Sequence, residues 1–219
     1  MAATSPASRL ITAAARDVLR PLGLQQRGRS RTWIDDHGWW LGVVEFQPGR
    51  SEGSYLNVGV MWLWDDRDHL AFHVGGREHG HEQFVNPDQF TIAAHDLARE
   101  AADLVTANRA RFVDLPAVAR FLTSQNPQPG HFWDNYHAGV AAGLIGDVST
   151  ARQRFAQVLA EDAFAPWMVQ AQQSTRQLHG LAEDLEAFRG WAARAVASCR
   201  QQLKLESLDA ATTSDKWWV

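Results

Sequence analysis

Histidine and carboxylate side chains are concentrated in one short stretch, Glu78-His79-Gly80-His81-Glu82, with His73 upstream. These are ligand types that zinc takes in proteins, and a zinc site needs about three or four of them converging. A two-residue spacing would place His79 and His81 on one side of an extended segment. The functional interpretation is the metal centre of a hydrolase. We favour the other interpretation, a solvated loop, because nothing in the sequence fixes the remaining ligands.

A second polar group lies in the stretch Trp39–Trp64, which is typical of two β-strands joined by a polar loop. Glu45 and Gln47 share a face of the first strand, and Asn57 lies on its expected partner. If the strands pair, these side chains converge near the basic connector that precedes them. A buried carboxylate needs a cation or several donors, so a glutamate–arginine pair could serve structure alone. The functional interpretation is a site for a polar ligand or partner, formed by Arg29, Arg31, Glu45, Gln47 and Asn57.

The sequence lacks the common catalytic motifs. It has no Gly-x-Ser-x-Gly elbow, no phosphate-binding GxxxxGK[ST] loop and no His-Glu-x-x-His zinc helix. The single cysteine, Cys199, lies on the apolar face of a predicted helix, which indicates a small buried side chain rather than a nucleophile. We therefore predict a non-enzymatic binding or protein-interaction module without a cofactor. The alternative is a metal-dependent hydrolase that uses His73, His79, His81 and Glu82.

Composition argues against several classes of function. The net charge of −4 gives no basic face for nucleic acid. One cysteine excludes an internal disulfide and fits a reducing cytoplasm. No run approaches the roughly 18 apolar residues of a membrane span. We expect a cytoplasmic bacterial protein, monomeric or homodimeric, that binds neither nucleic acid nor membrane. Ten tryptophans are many for 219 residues, so some are expected to line a surface or groove.

The elements that must position these residues follow from periodicity. Helical spacing covers Ser8 to Leu22, and an N-cap signal at Asn86 starts a helix that runs to about Asn108. Four strands are predicted between these helices, near 31–34, 39–47, 55–64 and 69–74, with a loop at 75–85. Two-residue alternation predicts that one face of the third strand joins the core, through Leu56, Val58, Val60, Trp62 and Trp64.

The predicted fold class is α+β. An N-terminal helix and a four-stranded antiparallel meander, covered by helices, precede an all-helical C-terminal part. The Pro- and Gly-containing stretch 124–130 marks the boundary. We predict an α+β domain at 8–123, a helical hairpin region packed on it at 131–205, and a tail at 206–219. In that tail, Trp217 and Trp218 could anchor in a groove of the same or another chain.

Two resemblances add to this interpretation. The first is carried by Leu19-Arg20-Pro21-Leu22-Gly23, Arg27-Gly28-Arg29, Trp33, Glu45-Phe46-Gln47 and Asn57-Val58-Gly59-Val60. In this order and spacing, residues 16–60 resemble the opening of a bacterial family called domain of unknown function 4304. That resemblance implies a small α+β domain and no particular activity.

The second resemblance covers residues 131–163, which are similar to a single tetratricopeptide hairpin. It is carried by Gly139, Gly146, Ala151 and Phe155. The small residues Gly139 and Ala151 would let two helices approach closely. Arrays of such hairpins need about three copies, and no second copy follows here. The resemblance therefore implies one helical hairpin.

Overall fold

The computed structural model describes residues 5–125 and 130–206. The chain divides into two compact units, the first formed by Met1–Trp62 and His69–Ala110, the second by Leu63–Asp68 and Arg111–Val219. The predicted α+β class is confirmed. The predicted domain boundaries stay predictions. Trp217 and Trp218 of the predicted tail lie outside the described residues.

The first unit contains a five-stranded antiparallel sheet whose strands are neighbours in chain order. They are β1 (Gln25–Gln26), β2 (Thr32–Asp36), β3 (Trp40–Gln47), β4 (Gly53–Trp62) and β5 (Val74–Gln83). The antiparallel meander is confirmed, but its last strand is β5, and not the 69–74 segment. Because β5 contains three glycines and mostly polar residues, it lacks the apolar alternation that predicts a strand. It forms as an edge strand because β4 offers it an unpaired row of backbone groups.

Two helices cover one face of this sheet. Helix α1 (Pro6–Leu19) begins at Ser5, whose hydroxyl accepts from the Ser8 N–H at 3.2 Å, and α2 (Pro87–Arg111) follows β5. Buried residues of both helices form one core cluster with Trp33, Val44, Phe46, Leu56 and Val58. All residues of the predicted core face, from Leu56 to Trp64, are buried. The opposite face is buried at Met61 but half-buried at Glu45 and Gln47.

The second unit is helical. Its helices are α3 (Leu115–Ser124), α4 (Phe132–Leu144), α5 (Val148–Ala160), α6 (Pro166–Leu181) and α7 (Leu185–Gln202). Helix α4 is central, since it is buried continuously from Asn135 to Leu144, as expected for a helix that is apolar on all sides. The segment 63–68 belongs to this unit, where the Trp64 indole N–H donates to His137 Nδ1 at 3.1 Å.

Two glycines let α4 approach its neighbours closely. A Cβ on Gly139 would lie 2.5 Å from the Phe155 ring of α5, and a Cβ on Gly143 would lie still closer to the Phe188 ring of α7. The close approach expected at Gly139 is therefore present. Cys199 of α7 is fully buried, and burial raises the pKa of its thiol to about 11. None of the helices described is both long enough and apolar enough to cross a membrane.

Candidate functional site

Strand pairing brings together five side chains that we call the polar cluster: Glu45, Gln47, Tyr55, Asn57 and Arg77. In the antiparallel register Glu45 is opposite Asn57, Gln47 is opposite Tyr55, and Asn57 is opposite Arg77. The members on β3 and β4 alternate with Val44, Phe46, Leu56 and Val58 of the core cluster, and Arg77 is hydrogen-bonded to two of these members, Asn57 and Gln47. The polar cluster therefore projects from the face opposite the one that α1 and α2 cover.

Asn57 is the buried residue at the centre of the polar cluster, and it forms hydrogen bonds with Glu45, Gln47 and Arg77. Its Nδ2 donates to Glu45 Oε2 at 2.9 Å and to Gln47 Oε1 at 3.0 Å. Arg77 Nη2 donates to the same Gln47 oxygen at 2.7 Å, and Arg77 Nε donates to Asn57 Oδ1 at 3.4 Å. Asn57 is 6% exposed, whereas Glu45 and Gln47 are half-buried and Arg77 is exposed. A buried amide thus fixes the side chains that solvent or a partner can reach.

Arg77 and Tyr55 complete the polar cluster, and the sequence prediction omitted both. The Arg77 guanidinium lies 4.0 Å from the centroid of the Tyr55 ring, a cation–π contact. Tyr55 shares a face with Asn57 by two-residue alternation, so the sequence alone could have placed it in the polar cluster. Arg77 lies in the segment predicted as a loop, and only the pairing of β5 with β4 brings it beside Asn57.

The two predicted arginines of the connector lie elsewhere. Arg31 Nε donates to Ser8 Oγ at 3.0 Å and Arg31 Nη1 donates to the Gly53 carbonyl at 3.2 Å. Burial lowers the pKa of Arg31, against an opposing effect of Glu52. Arg29 is exposed in the turn between β1 and β2. Within the described part of the chain, the arginine hydrogen bonds of the polar cluster come from Arg77 and not from these two arginines.

The predicted histidine ligands do not converge. The pairing of β4 with β5 is irregular between Ser54 and Asn57, and such a bulge breaks the two-residue alternation. His79 is therefore on the core side, with Nδ1 3.0 Å from Glu100 Oε2 of α2. His81 is on the other side, with its ring 4.9 Å from that of Tyr55.

The remaining predicted ligands are also divided. Glu82 Oε2 is 3.9 Å from His79 Nε2. His73 Nδ1 accepts from the Trp62 backbone N–H at 2.9 Å. His73 is six residues before His79, roughly 20 Å along an extended chain. The structure therefore pairs Glu82 with His79 and leaves His73 and His81 apart from them.

A further polar group in the first unit, the Asp35 network, ties β2 to α2. Arg109 donates through Nε and Nη2 to the two oxygens of Asp35 at 2.8 and 2.6 Å, and His37 Nε2 lies 2.7 Å from Asp35 Oδ2. Arg109 Nη2 also donates to the Leu22 carbonyl at 2.8 Å. Asp35 is buried, and burial alone would raise its pKa, but hydrogen bonds from Arg109 and His37 outweigh that and lower the pKa.

This lowered pKa makes stability depend on pH. A carboxylate whose pKa is lower in the folded than in the unfolded chain stabilises fully above the unfolded value of about 3.9, and this contribution disappears as pH falls through the folded value. We expect the wild-type advantage over Asp35→Asn in free energy of unfolding to be largest near neutral pH and to shrink below about pH 4. Urea unfolding across a pH series measures it, with Asp96→Asn as an exposed control. An advantage that is constant down to pH 2–3 would contradict the assignment.

Comparisons with known proteins found no match: no family model, no curated protein and no solved structure matches this chain. The resemblance of residues 16–60 to the domain of unknown function therefore stays a prediction. Within the described part of the first unit, the polar cluster combines convergent, hydrogen-bonded side chains with exposure. The Asp35 network is explained by its structural role.

Proposed function

We propose that this chain is a non-enzymatic binding module whose first unit binds a protein partner through the polar cluster. One observation carries the proposal: side chains from three adjacent strands converge and are hydrogen-bonded before any partner arrives. Side chains that are already ordered lose less conformational entropy on binding, so more of their interaction energy appears as affinity.

The groups that the polar cluster presents define the chemistry of the partner. Arg77 is exposed and has further N–H donors, and Glu45 has a second carboxylate oxygen. Arginine and tyrosine, together with tryptophan, are enriched at the energetic centres of protein interfaces. A partner that places a carboxylate against Arg77 and an N–H donor against Glu45 would satisfy both charges.

The test is a comparison of proteins captured by immobilised variants. We expect at least one protein in a lysate of the source cells to bind wild type and to bind Arg77→Ala about tenfold less. Arg99→Ala is the matched control, because Arg99 is an exposed arginine of the same unit that pairs with Asp96 on the same helix. Quantitative mass spectrometry of the retained proteins gives the ratio. Equal retention of every protein by all three baits would contradict the proposal.

The metal-dependent hydrolase has less support, because His79 and His81 lie on opposite sides of β5. We expect elemental analysis to give the same zinc content for wild type and for the double variant His79→Ala/His81→Ala. Wild type and the double variant should be measured after the same purification, with circular dichroism to show that the double variant is folded. Stoichiometric zinc in wild type that is lost from a folded double variant would restore the hydrolase alternative.

Family membership, cellular location, oligomeric state and cofactor requirement are also proposals. The order α1, β2, β3, β4 agrees with the α+β domain that the resemblance to domain of unknown function 4304 implies, and this supports membership in that family. The lone cysteine supports a cytoplasmic location. We propose a monomer or homodimer that requires no cofactor for binding. Sedimentation of purified protein distinguishes the two oligomeric states.

A further inference from the structure

The second unit exposes a group of aromatic rings that we call the aromatic surface: Trp133, Phe164 and Trp167. Phe164 is 84% exposed and Trp167 is 44% exposed, while Trp133 is half-buried. Large aromatic side chains contribute most of their stabilisation when buried, so a contiguous exposed set calls for an explanation. The polar cluster of the first unit does not involve these residues.

The starts of two helices hold the aromatic surface in place. Trp133 is the second residue of α4 and Trp167 the second residue of α6. Their rings stack, with centroids 5.4 Å apart and planes at 20°. Phe164 meets Trp167 edge-on at 6.2 Å and 86°, and the buried Phe132 meets it at 5.6 Å and 89°. The Trp167 ring therefore contacts three other rings of the unit and is still 44% exposed.

One ring of this group already binds a cation. The Arg67 guanidinium lies 4.9 Å from the centroid of Trp133, and Arg67 also forms an ion pair with Asp65. Tryptophan offers the most favourable aromatic face for a cation, and arginine is the cation most often found there. The Arg67–Trp133 contact shows the geometry that a second guanidinium could adopt on the exposed ring of Trp167.

Arg67, which lies on Trp133, is already paired with Asp65, and the other charged residues close in sequence to the aromatic surface are acidic, which favours a cationic ligand. The segments that carry its rings, residues 131–151 and 161–175, contain no lysine or arginine. In the sequence, Asp134 directly follows Trp133, and Glu161 and Asp162 come three and two residues before Phe164; Asp134 Oδ2 also lies 2.8 Å from His131 Nδ1. Acidic groups beside exposed aromatic faces attract a cation over a distance of about a Debye length and disfavour an anion.

We propose that the aromatic surface binds an arginine side chain in a basic peptide segment of a protein partner. The guanidinium would stack on Trp167 beside Phe164, with Asp134, Glu161 and Asp162 supplying the negative charge. This goes beyond the proposed function of the polar cluster, because it concerns the second unit and a different chemistry. The two proposals can fail independently, since their variants share no residue.

The probe is a capped decapeptide of alternating glycine and arginine, and its control is the same peptide with citrulline for arginine. Citrulline keeps the shape of arginine without its charge. We expect isothermal titration calorimetry to show binding of the arginine peptide, and binding of the citrulline peptide to be at least about tenfold weaker. No heat with the arginine peptide at millimolar concentration, or equal affinity for both peptides, would overturn the proposal.

Variants separate the aromatic surface from general attraction to an acidic protein. We expect Trp167→Ala and Phe164→Ala each to weaken the arginine peptide by about three- to tenfold, with Ile145→Ala, another partly exposed apolar residue of the unit, unchanged. Phe164 is so exposed that its replacement should not affect folding, which guards against a misfolded Trp167 variant. Wild-type affinity in both aromatic variants would place the peptide elsewhere and refute this site.

Discussion

Replacing Arg109 by methionine lowers the free energy of unfolding by about 2–4 kcal/mol near neutral pH. The substitution removes both hydrogen bonds to Asp35, which stays buried without its main cation, and the bond to the Leu22 carbonyl. Breaking a buried pair by removing one partner is costly because the remaining charge is not compensated. Breaking a fully buried pair costs about 3–5 kcal/mol. The Arg109 side chain is 33% exposed, so solvent screening lowers the expected loss somewhat below that range. Urea unfolding measures it.

Two comparisons show whether this loss belongs to the buried pair. Arg99→Met removes an exposed arginine from the same helix and should change the free energy of unfolding by less than about 1 kcal/mol. The double variant Asp35→Leu/Arg109→Met should be less destabilised than the sum of the single variants, because no charge is left buried. Similar losses in Arg109→Met and Arg99→Met would contradict a special role for the Asp35 network.

Replacing Gly143 by leucine destabilises the second unit by about 3 kcal/mol or more, at the upper end of the effects of overpacking. The Cβ alone would overlap the Phe188 ring of α7, and Phe188 is fully buried, so the ring has little room to move. Thermal unfolding followed by circular dichroism measures the effect. The same change at Gly180, where a Cβ would meet nothing within 4 Å, should be neutral or slightly stabilising. Equal effects at the two glycines would contradict close packing at α4.

The sequence predicts those features that depend on local periodicity. Alternation along 55–64 put Leu56 and Val58 on the face of β4 that joins the core cluster and Asn57 on the other face, although Asn57 and Met61 of that other face are buried as well. Alternation also put Glu45 and Gln47 on one face of β3, and in the paired strands Glu45 is opposite Asn57 and Gln47 is opposite Tyr55. The start of α2 after Asn86 and the helical repeat of apolar residues in α4 were also predicted. Capping residues and spacings of three or four act within a single element, so the local sequence shows them.

Features that depend on pairing between distant segments were missed. Strand β5 has no apolar alternation, so neither the strand nor the position of Arg77 could be predicted from its own sequence. Arg109 reaches Asp35 across 74 residues, and the sequence around Asp35 indicates only a turn. The bulge in β5 reverses the side on which His81 lies relative to His79. In each case, the position of the side chain depends on which distant segment its own segment pairs with.

The central claim is that the polar cluster binds a protein partner, and calorimetric titration of the purified captured partner tests it most directly. We expect Arg77→Ala to weaken binding about tenfold or more, a loss of at least about 1.4 kcal/mol, while Arg99→Ala keeps the wild-type affinity. Asn57→Ala should also weaken binding, because Asn57 orders Glu45 and Gln47. Wild-type affinity in folded Arg77→Ala and Asn57→Ala proteins would contradict the claim.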